Sequence, residues 1–348
     1  MIAFPAGMQH GLAAPARPLR APIGGAMVRP HHPNLPLRIG TRGSPLALWQ
    51  TRDFLGMITR FCPVLRDARA FVEHTILTSG DRIQDRPLAE IGGKGLFAKE
   101  IHEALLDRRI DFAVHSLKDL ETDLPSGIAL ACTLKREDPR DALILGPGIE
   151  TPCDPAHPFA CLPYGSSVAT SSVRRQSQLL HARPDLRMTL MRGNVQTRLA
   201  KIHDGGAAAT LLAFAGLKRL GLAQEADIVL DEQAMLPAAC QGIVGVTVRE
   251  DDLALRELLA AIEDPEARAV SQAERALLAA LDGSCRTPIG GRAQALPGGR
   301  LALVGLVARA DGSFLLRRDI EGDQVDASAL GYALGDSLRR DAPADIFG

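Results

Sequence analysis

Lysine is scarce in this chain: of 40 basic residues only six are lysine (Lys94, Lys99, Lys118, Lys135, Lys201, Lys218), and the others are arginine. Aromatic residues make up 4% of the 348 positions, with one Trp and two Tyr, too few for a stacking platform of the kind that grips single-stranded nucleic acid. The formal net charge of -1 supplies no global basic face either, so a nucleic-acid binder is not expected. The longest apolar stretch, Ala207 to Ala215, is about half of the ~20 residues that cross a bilayer, which excludes a predicted membrane helix. Six cysteines show no C-x-x-C pair and nine histidines no H-x-x-x-H spacing, so no metal is expected. A chain of this size needs no disulfide staples, and a reducing cytoplasm is the expected compartment. No acidic residue precedes Asp53. Residues 1–34, rich in Pro, Ala, Gly and Arg, lack the apolar centre of a secretory signal and the serines of a transit peptide, and are expected to form a disordered tail without a catalytic part.

With 46% hydrophobic and 23% charged residues, the chain has a globular composition, and its length calls for two or three packed units. From Leu37 it alternates strand and helix. Strands are predicted over 37–40, 71–78 and 110–114, and helices over 46–58 and 99–107. Three later segments repeat the plan, leading from 168–170, 188–191 and 210–213 into polar or basic residues. The last 80 or so residues differ. A helix over 265–281, a hairpin of 301–308 and 314–320 about Asp311-Gly312, and a helix over 327–340 predict a small α+β unit.

The polar clusters fall at strand ends, where open α/β sheets bind ligands. Thr170-Ser171-Ser172-Val173-Arg174-Arg175 sets hydroxyls and two arginines at a strand-to-helix junction; Arg192 and Arg198 bracket a second, and Arg42 with Ser44 a third. Three such junctions, expected on one parallel sheet, favour a polyanionic ligand held by guanidinium forks, with carboxylate and phosphate both open. Gly92-Gly93-Lys94-Gly95 is no P-loop, because Leu88 and Gly95 stand where a Gly and a Ser or Thr are required; a glycine-hinged active-site loop fits it better. Asp119 follows Lys118 at the end of an apolar strand, a position that suits a salt-bridged cap or an acid/base group, and His115 reads as structural. Cys285 lies in Gly283-Ser284-Cys285-Arg286-Thr287-Pro288, a loop where Arg286 favours thiolate.

Several segments resemble the porphobilinogen deaminase family, from about Leu37 to the C-terminus. They are Ile39-Gly40-Thr41-Arg42-Gly43-Ser44-Pro45-Leu46-Ala47-Leu48-Trp49-Gln50, Lys94-Gly95-Leu96-Phe97, His115-Ser116-Leu117-Lys118-Asp119, Thr170 to Gln176, Arg192-Gly193-Asn194-Val195-Gln196-Thr197-Arg198-Leu199, and Leu281 to Gly290 around Cys285. The resemblance implies an α/β fold of two type II periplasmic-binding-protein-like domains plus a small C-terminal α+β domain carrying the cofactor cysteine. Its implied boundaries are 35–135 with 236–260, 136–235, and 265–348. It further implies a dipyrromethane cofactor, one per chain, in thioether linkage to Cys285. Ser116, Lys118, Asp119, Thr170, Ser172, Arg174, Arg175, Arg192, Arg198 and Gln241 would bind it. The substrate would be porphobilinogen, bound by Arg42, Ser44, Phe97, Arg192, Arg198, the main chain at Ala213, and Arg219. Asp119, with Lys118, would be catalytic. The implied protein is a monomer that passes its linear tetrapyrrole to the next enzyme of the pathway. Three departures from the family pattern are Cys240 in place of a usual Gly, Thr247 in place of Glu, and Glu121 in place of Pro. A non-enzymatic anion-binding protein of periplasmic type would explain the arginines but leaves Cys285 and the last unit unexplained.

Overall fold

The computed structural model describes residues 35–83, 95–149, 156–283 and 287–347. Its first sheet grows from β1 (Leu37–Thr41), whose Leu37 and Ile39 point into the core. The helix that follows, α1 (Pro45–Phe61), starts where Ser44 accepts a hydrogen bond from the Ala47 amide and Pro45 fills the first turn, where no amide proton is needed. Its Phe54 and Ile58, four residues apart, bury one helix face on the sheet. After α2 (Pro63–Asp67) come β2 (Phe71–Thr75), α3 (Ser79–Arg82), α4 (Lys99–Leu106), β3 (Phe112–Ser116) and β4 (Ile128–Thr133).

The chain then crosses to a second sheet made of β5 (Asp141–Leu145), β6 (Ser167–Ala169), β7 (Arg187–Thr189), β8 (Ala209–Ala213) and β9 (Ile228–Val229), with α5 (Val173–Ala182), α6 (Val195–His203) and α7 (Phe214–Arg219) between them. It returns through β10 (Val244–Arg249) and α8 (Leu253–Ala260). The two sheets share one plan. Their orders are β2-β1-β3-β10-β4 and β7-β6-β8-β5-β9; β10 runs antiparallel to β3 and β4, and β5 antiparallel to β8 and β9. Each sheet thus takes its antiparallel strand from a segment that has just crossed between them, the type II arrangement. The last unit packs α9 (Pro265–Ala280) and α10 (Ala327–Asp341) on a meander of β11 (Ile289–Leu296), β12 (Arg300–Ala308) and β13 (Leu315–Asp323). Gly331 and Gly335 permit that helix pair, since a Cβ at either would collide with α9.

Four expectations are corrected. The three arginine junctions lie on two sheets rather than one, and both sheets are mixed rather than parallel. The strand predicted to reach Thr78 stops at Thr75, because Thr78 and Asp81 form a capping box that opens α3. Strands β4, β5, β9, β10 and β11 were not anticipated: β5 and β10 are buried at every residue, so they show no alternation, and two glycines weaken the strand signal of β11. Cys161 is disulfide-bonded, whereas composition called for no such bond; Cys62, Cys132 and Cys240 are free. The expectations for residues 1–34, for Gly92 to Lys94 and for Cys285 with its neighbours Ser284 and Arg286 fall outside the described residues.

Candidate active site

Asp119 is delivered by β3. Its residues Phe112 to Val114 are buried, and the chain then tightens into a 3-10 turn over Leu117–Asp119. Leu117 and Leu120 are buried in the same apolar cluster as Leu277, Leu281 and Leu303 of the last unit. Two anchored leucines leave Lys118 and Asp119 no choice but the polar side. There Asp119 Oδ2 stands 3.9 Å from Arg42 Nη1, and Lys118 Nζ donates to Gln241 Oε1 at 3.2 Å. Desolvation pulls the Lys118 ammonium down to about 8, with Asp119 opposing the shift and Arg175 and Arg174 adding to it.

Arg42, just beyond β1, is held on three sides. Its Nε and Nη2 form a fork on Asp81 at 3.2 and 2.5 Å, its Nη1 faces Asp119, and its guanidinium lies over the Phe97 ring at 4.1 Å. Phe97 in turn packs on Gly80, where a Cβ would collide with the ring. Ser44 is the cap of α1, and Ser116 exchanges hydrogen bonds with Gln50 at 3.0 and 3.1 Å.

The second sheet supplies the rest. Ser172 caps α5 and Thr170 Oγ1 accepts from the Ser172 amide, so both hydroxyls shape the junction that presents Arg174 and Arg175. Both arginines are buried and share one carboxylate: Arg174 Nη1 and Arg175 Nη2 lie 2.8 and 2.7 Å from Asp141. Gln241 Nε2 donates to the same carboxylate at 2.9 Å, which links it to Lys118. Burial pushes the Asp141 carboxyl up, but the two guanidinium groups outweigh it and hold it well below the usual carboxylate range. Arg192 is buried and reaches from the second sheet to donate to the Gly80 carbonyl at 3.0 Å. Arg198 donates to the Gly193 carbonyl at 2.9 Å; burial first, then Arg175 and Arg192, lower its guanidinium to about 10. Arg219 donates to the Gly242 carbonyl at 2.7 Å, and Ala213 closes β8.

Asp141, Asp81 and Gln50 were missed from sequence. The signal for Asp141 was an acidic residue at the head of a buried run, Asp-Ala-Leu-Ile-Leu, which needs a cationic partner. The three departures all have places in the structure. Cys240 is buried with φ 61°, the left-handed region where glycine is unstrained, and its amide donates to the fully buried Glu274. Thr247 Oγ1 pairs with His115 Nε2 at 2.8 Å, and burial drives the His115 imidazolium down to about 3, so this ring is neutral. Glu121 stands 3.1 Å from His102 Nδ1.

The residues fit a multiply negative ligand. Among the described residues Lys118, Arg174, Arg175 and Arg198 outnumber the carboxylates of Asp119 and Asp141; Arg198 makes no ion pair there, and buried Arg175 Nε has no hydrogen-bond partner. Fold and site define a mixed α/β protein with a carboxylate set among arginines. The chain belongs to the porphobilinogen deaminase family: its residues 37–257 match the "Porphobilinogen deaminase, dipyromethane cofactor binding domain" and residues 267–340 the family's "C-terminal domain". It is 48% identical over 318 residues to "Porphobilinogen deaminase" of Paracoccus denitrificans, covering 90% of this chain and 97% of that one. Over 309 residues it is 47% identical to the protein of that name from Nitrobacter winogradskyi, covering 89% and 94%. The chloroplastic protein of Oryza sativa is 47% identical over 277 residues, covering 80% and 75%. Among solved structures, the periplasmic VFT2 domain of Bordetella pertussis BvgS aligns with 68% of this chain and 92% of its own at 13% identity and a TM-score of 0.37.

Proposed function

We infer that this chain removes ammonia from porphobilinogen, joins four pyrrole units head to tail, and releases hydroxymethylbilane, with Asp119 as acid/base and Cys285 as the thioether anchor of the dipyrromethane. The observation that carries the reading is Asp119 beside Arg42 and Lys118, on a turn whose flanking leucines lie in one apolar cluster with Leu281. Cys285 follows Leu281 by four residues, so at about 3.5 Å per residue its reach is limited to roughly 14 Å from that anchor.

The dipyrromethane supplies the pyrrole α-carbon that attacks. Lys118, Arg174, Arg175, Arg192 and Arg198 hold its carboxylates, with Ser116, Thr170, Ser172 and Gln241 shaping the wall. Arg42, Arg192, Arg198 and Arg219, with Ser44, Phe97 and the main chain at Ala213, bind the acetate and propionate of the substrate. When ammonia leaves, the substrate becomes a cationic methylene-pyrrolenine, and the Asp119 carboxylate stabilises that charge and then takes the proton lost at the new bond. The planar, delocalised forks of arginine suit this work because they keep their charge in a partly dry cleft.

The domain boundaries 35–135 with 236–260, 136–235 and 265–348 belong to the same reading, as do a monomeric cytoplasmic enzyme without nucleic-acid or membrane partners and transfer of its product to the next tetrapyrrole enzyme. Incubation of the purified chain with porphobilinogen, with ammonia and tetrapyrrole measured together, tests it. Binding of porphobilinogen without ammonia release would leave only the anion-binding alternative.

A further inference from the structure

A guanidinium offers a carboxylate two forked edges, Nε with Nη2 and Nη1 with Nη2. On Arg42 the first edge is taken by Asp81 and the second opens toward Asp119, whose Oδ2 is 3.9 Å from Nη1. A substrate carboxylate that approaches Arg42 therefore meets a fork already filled by a carboxylate of the protein. Three features make that occupant exchangeable. The pair is not sealed in, the Arg42 and Asp81 side chains being 23% and 20% exposed. Asp81 has other donors, the Thr78 hydroxyl at 2.7 Å and the Thr78 amide at 3.4 Å, so its charge stays satisfied when Arg42 turns away. The backbone beneath it is fixed independently, through Glu100 on the Ser79 amide at 2.8 Å and Arg192 on the Gly80 carbonyl.

We propose that Asp81 is a positioning residue that holds Arg42 between turnovers, yields its fork to a substrate carboxylate, and takes it back when that pyrrole moves on. The proposal rests on the reading that Arg42 binds substrate. A reaction that fills and empties one subsite four times is slowed by any occupant that leaves slowly. Asp81 competes with each occupant alike, weakening binding and hastening departure without touching the reacting atoms.

Asp81→Asn keeps the Thr78 contact and removes the competing charge. A part-exposed ion pair is worth up to about a fivefold change in affinity. The expected result is a KM for porphobilinogen lowered about threefold with kcat lowered in parallel, so that kcat/KM moves little. Intact mass of protein quenched during turnover should show more chains carrying additional pyrrole units than the unsubstituted protein does. Asp81→Ser carries the same expectation if Asp81→Asn does not fold. Arg42→Ala should raise KM more than about tenfold, and Asp81→Asn should then have no further effect in that background. A KM for Asp81→Asn equal to or above the unsubstituted value, or the same fall in KM without Arg42, overturns the exchange while leaving Arg42 as a substrate ligand. An unchanged KM in Arg42→Ala overturns the substrate role of Arg42, and the exchange with it.

Discussion

Lys118 Nζ donates to Gln241 Oε1 at 3.2 Å, which ties the residue beside Asp119 to the amide that also touches Asp141. This lysine lies low because it is desolvated, at about 8 against an ordinary 10.5. Its charge is therefore present at neutral pH and lost as pH rises through 8, earlier than in the unfolded chain. The expected outcome is a fall in kcat/KM for porphobilinogen with a break above pH 8, because a dipyrromethane carboxylate on this ammonium opposes the desolvation. Lys118→Arg, whose guanidinium does not deprotonate in this range, should lose that break whatever its absolute rate. For stability the sign is the reverse: the folded chain binds fewer protons between pH 8 and 10.5, so this group makes unfolding harder as pH rises across that window. A pH series of denaturant midpoints checks it.

Asp119→Asn keeps the shape of the side chain but cannot ionise. It should retain fold and the cofactor adduct while turnover drops by about two to four orders of magnitude, the usual contribution of a placed acid/base group. Ammonia release at a near-normal rate from fully loaded Asp119→Asn would remove Asp119 from the chemistry.

Cys285 and Cys240 both sit in motif segments, and the structure describes the setting of Cys240. Cys240 is buried and its thiol is pushed up to about 12 by desolvation and by Glu274, which leaves it inert. Intact mass under reducing, denaturing conditions should show one adduct of two linked pyrroles, kept in Cys240→Ala and absent in Cys285→Ala. A carbon–sulfur thioether survives disulfide reductants, so an adduct that persists in Cys285→Ala sinks the assignment.

Asp141 neutralises two buried arginines at once. Asp141→Asn leaves Arg174 and Arg175 desolvated and mutually repelling, and removal of one side of a buried ion pair costs about 3–5 kcal/mol. Urea titration should show a loss of that order. A loss under about 1 kcal/mol would mean that the arginines find another anion.

The local order of the chain was legible because it is written in short-range signals. Ser44 with Pro45 marks the start of α1, Asp311-Gly312 marks the β12–β13 turn, and the apolar spacing of Val270, Ala273 and Leu277 marks the buried face of α9. Motif residues fixed the family and placed Asp119 and the arginines at strand ends. The sequence could not say which sheet each strand joins. Strands β5 and β10 cross into sheets assembled from distant segments, and a run buried on both faces has no periodic pattern to read. Residue types and their order along the chain thus determined what chemistry the protein carries. Only the tertiary structure decided the partners: that Arg174 and Arg175 share Asp141, that Gln241 reaches Lys118, and that Asp81 fills the fork of Arg42. Those pairings join residues from 33 to 123 positions apart, and a charge finds its counter-charge through space, where packing and desolvation set the distance.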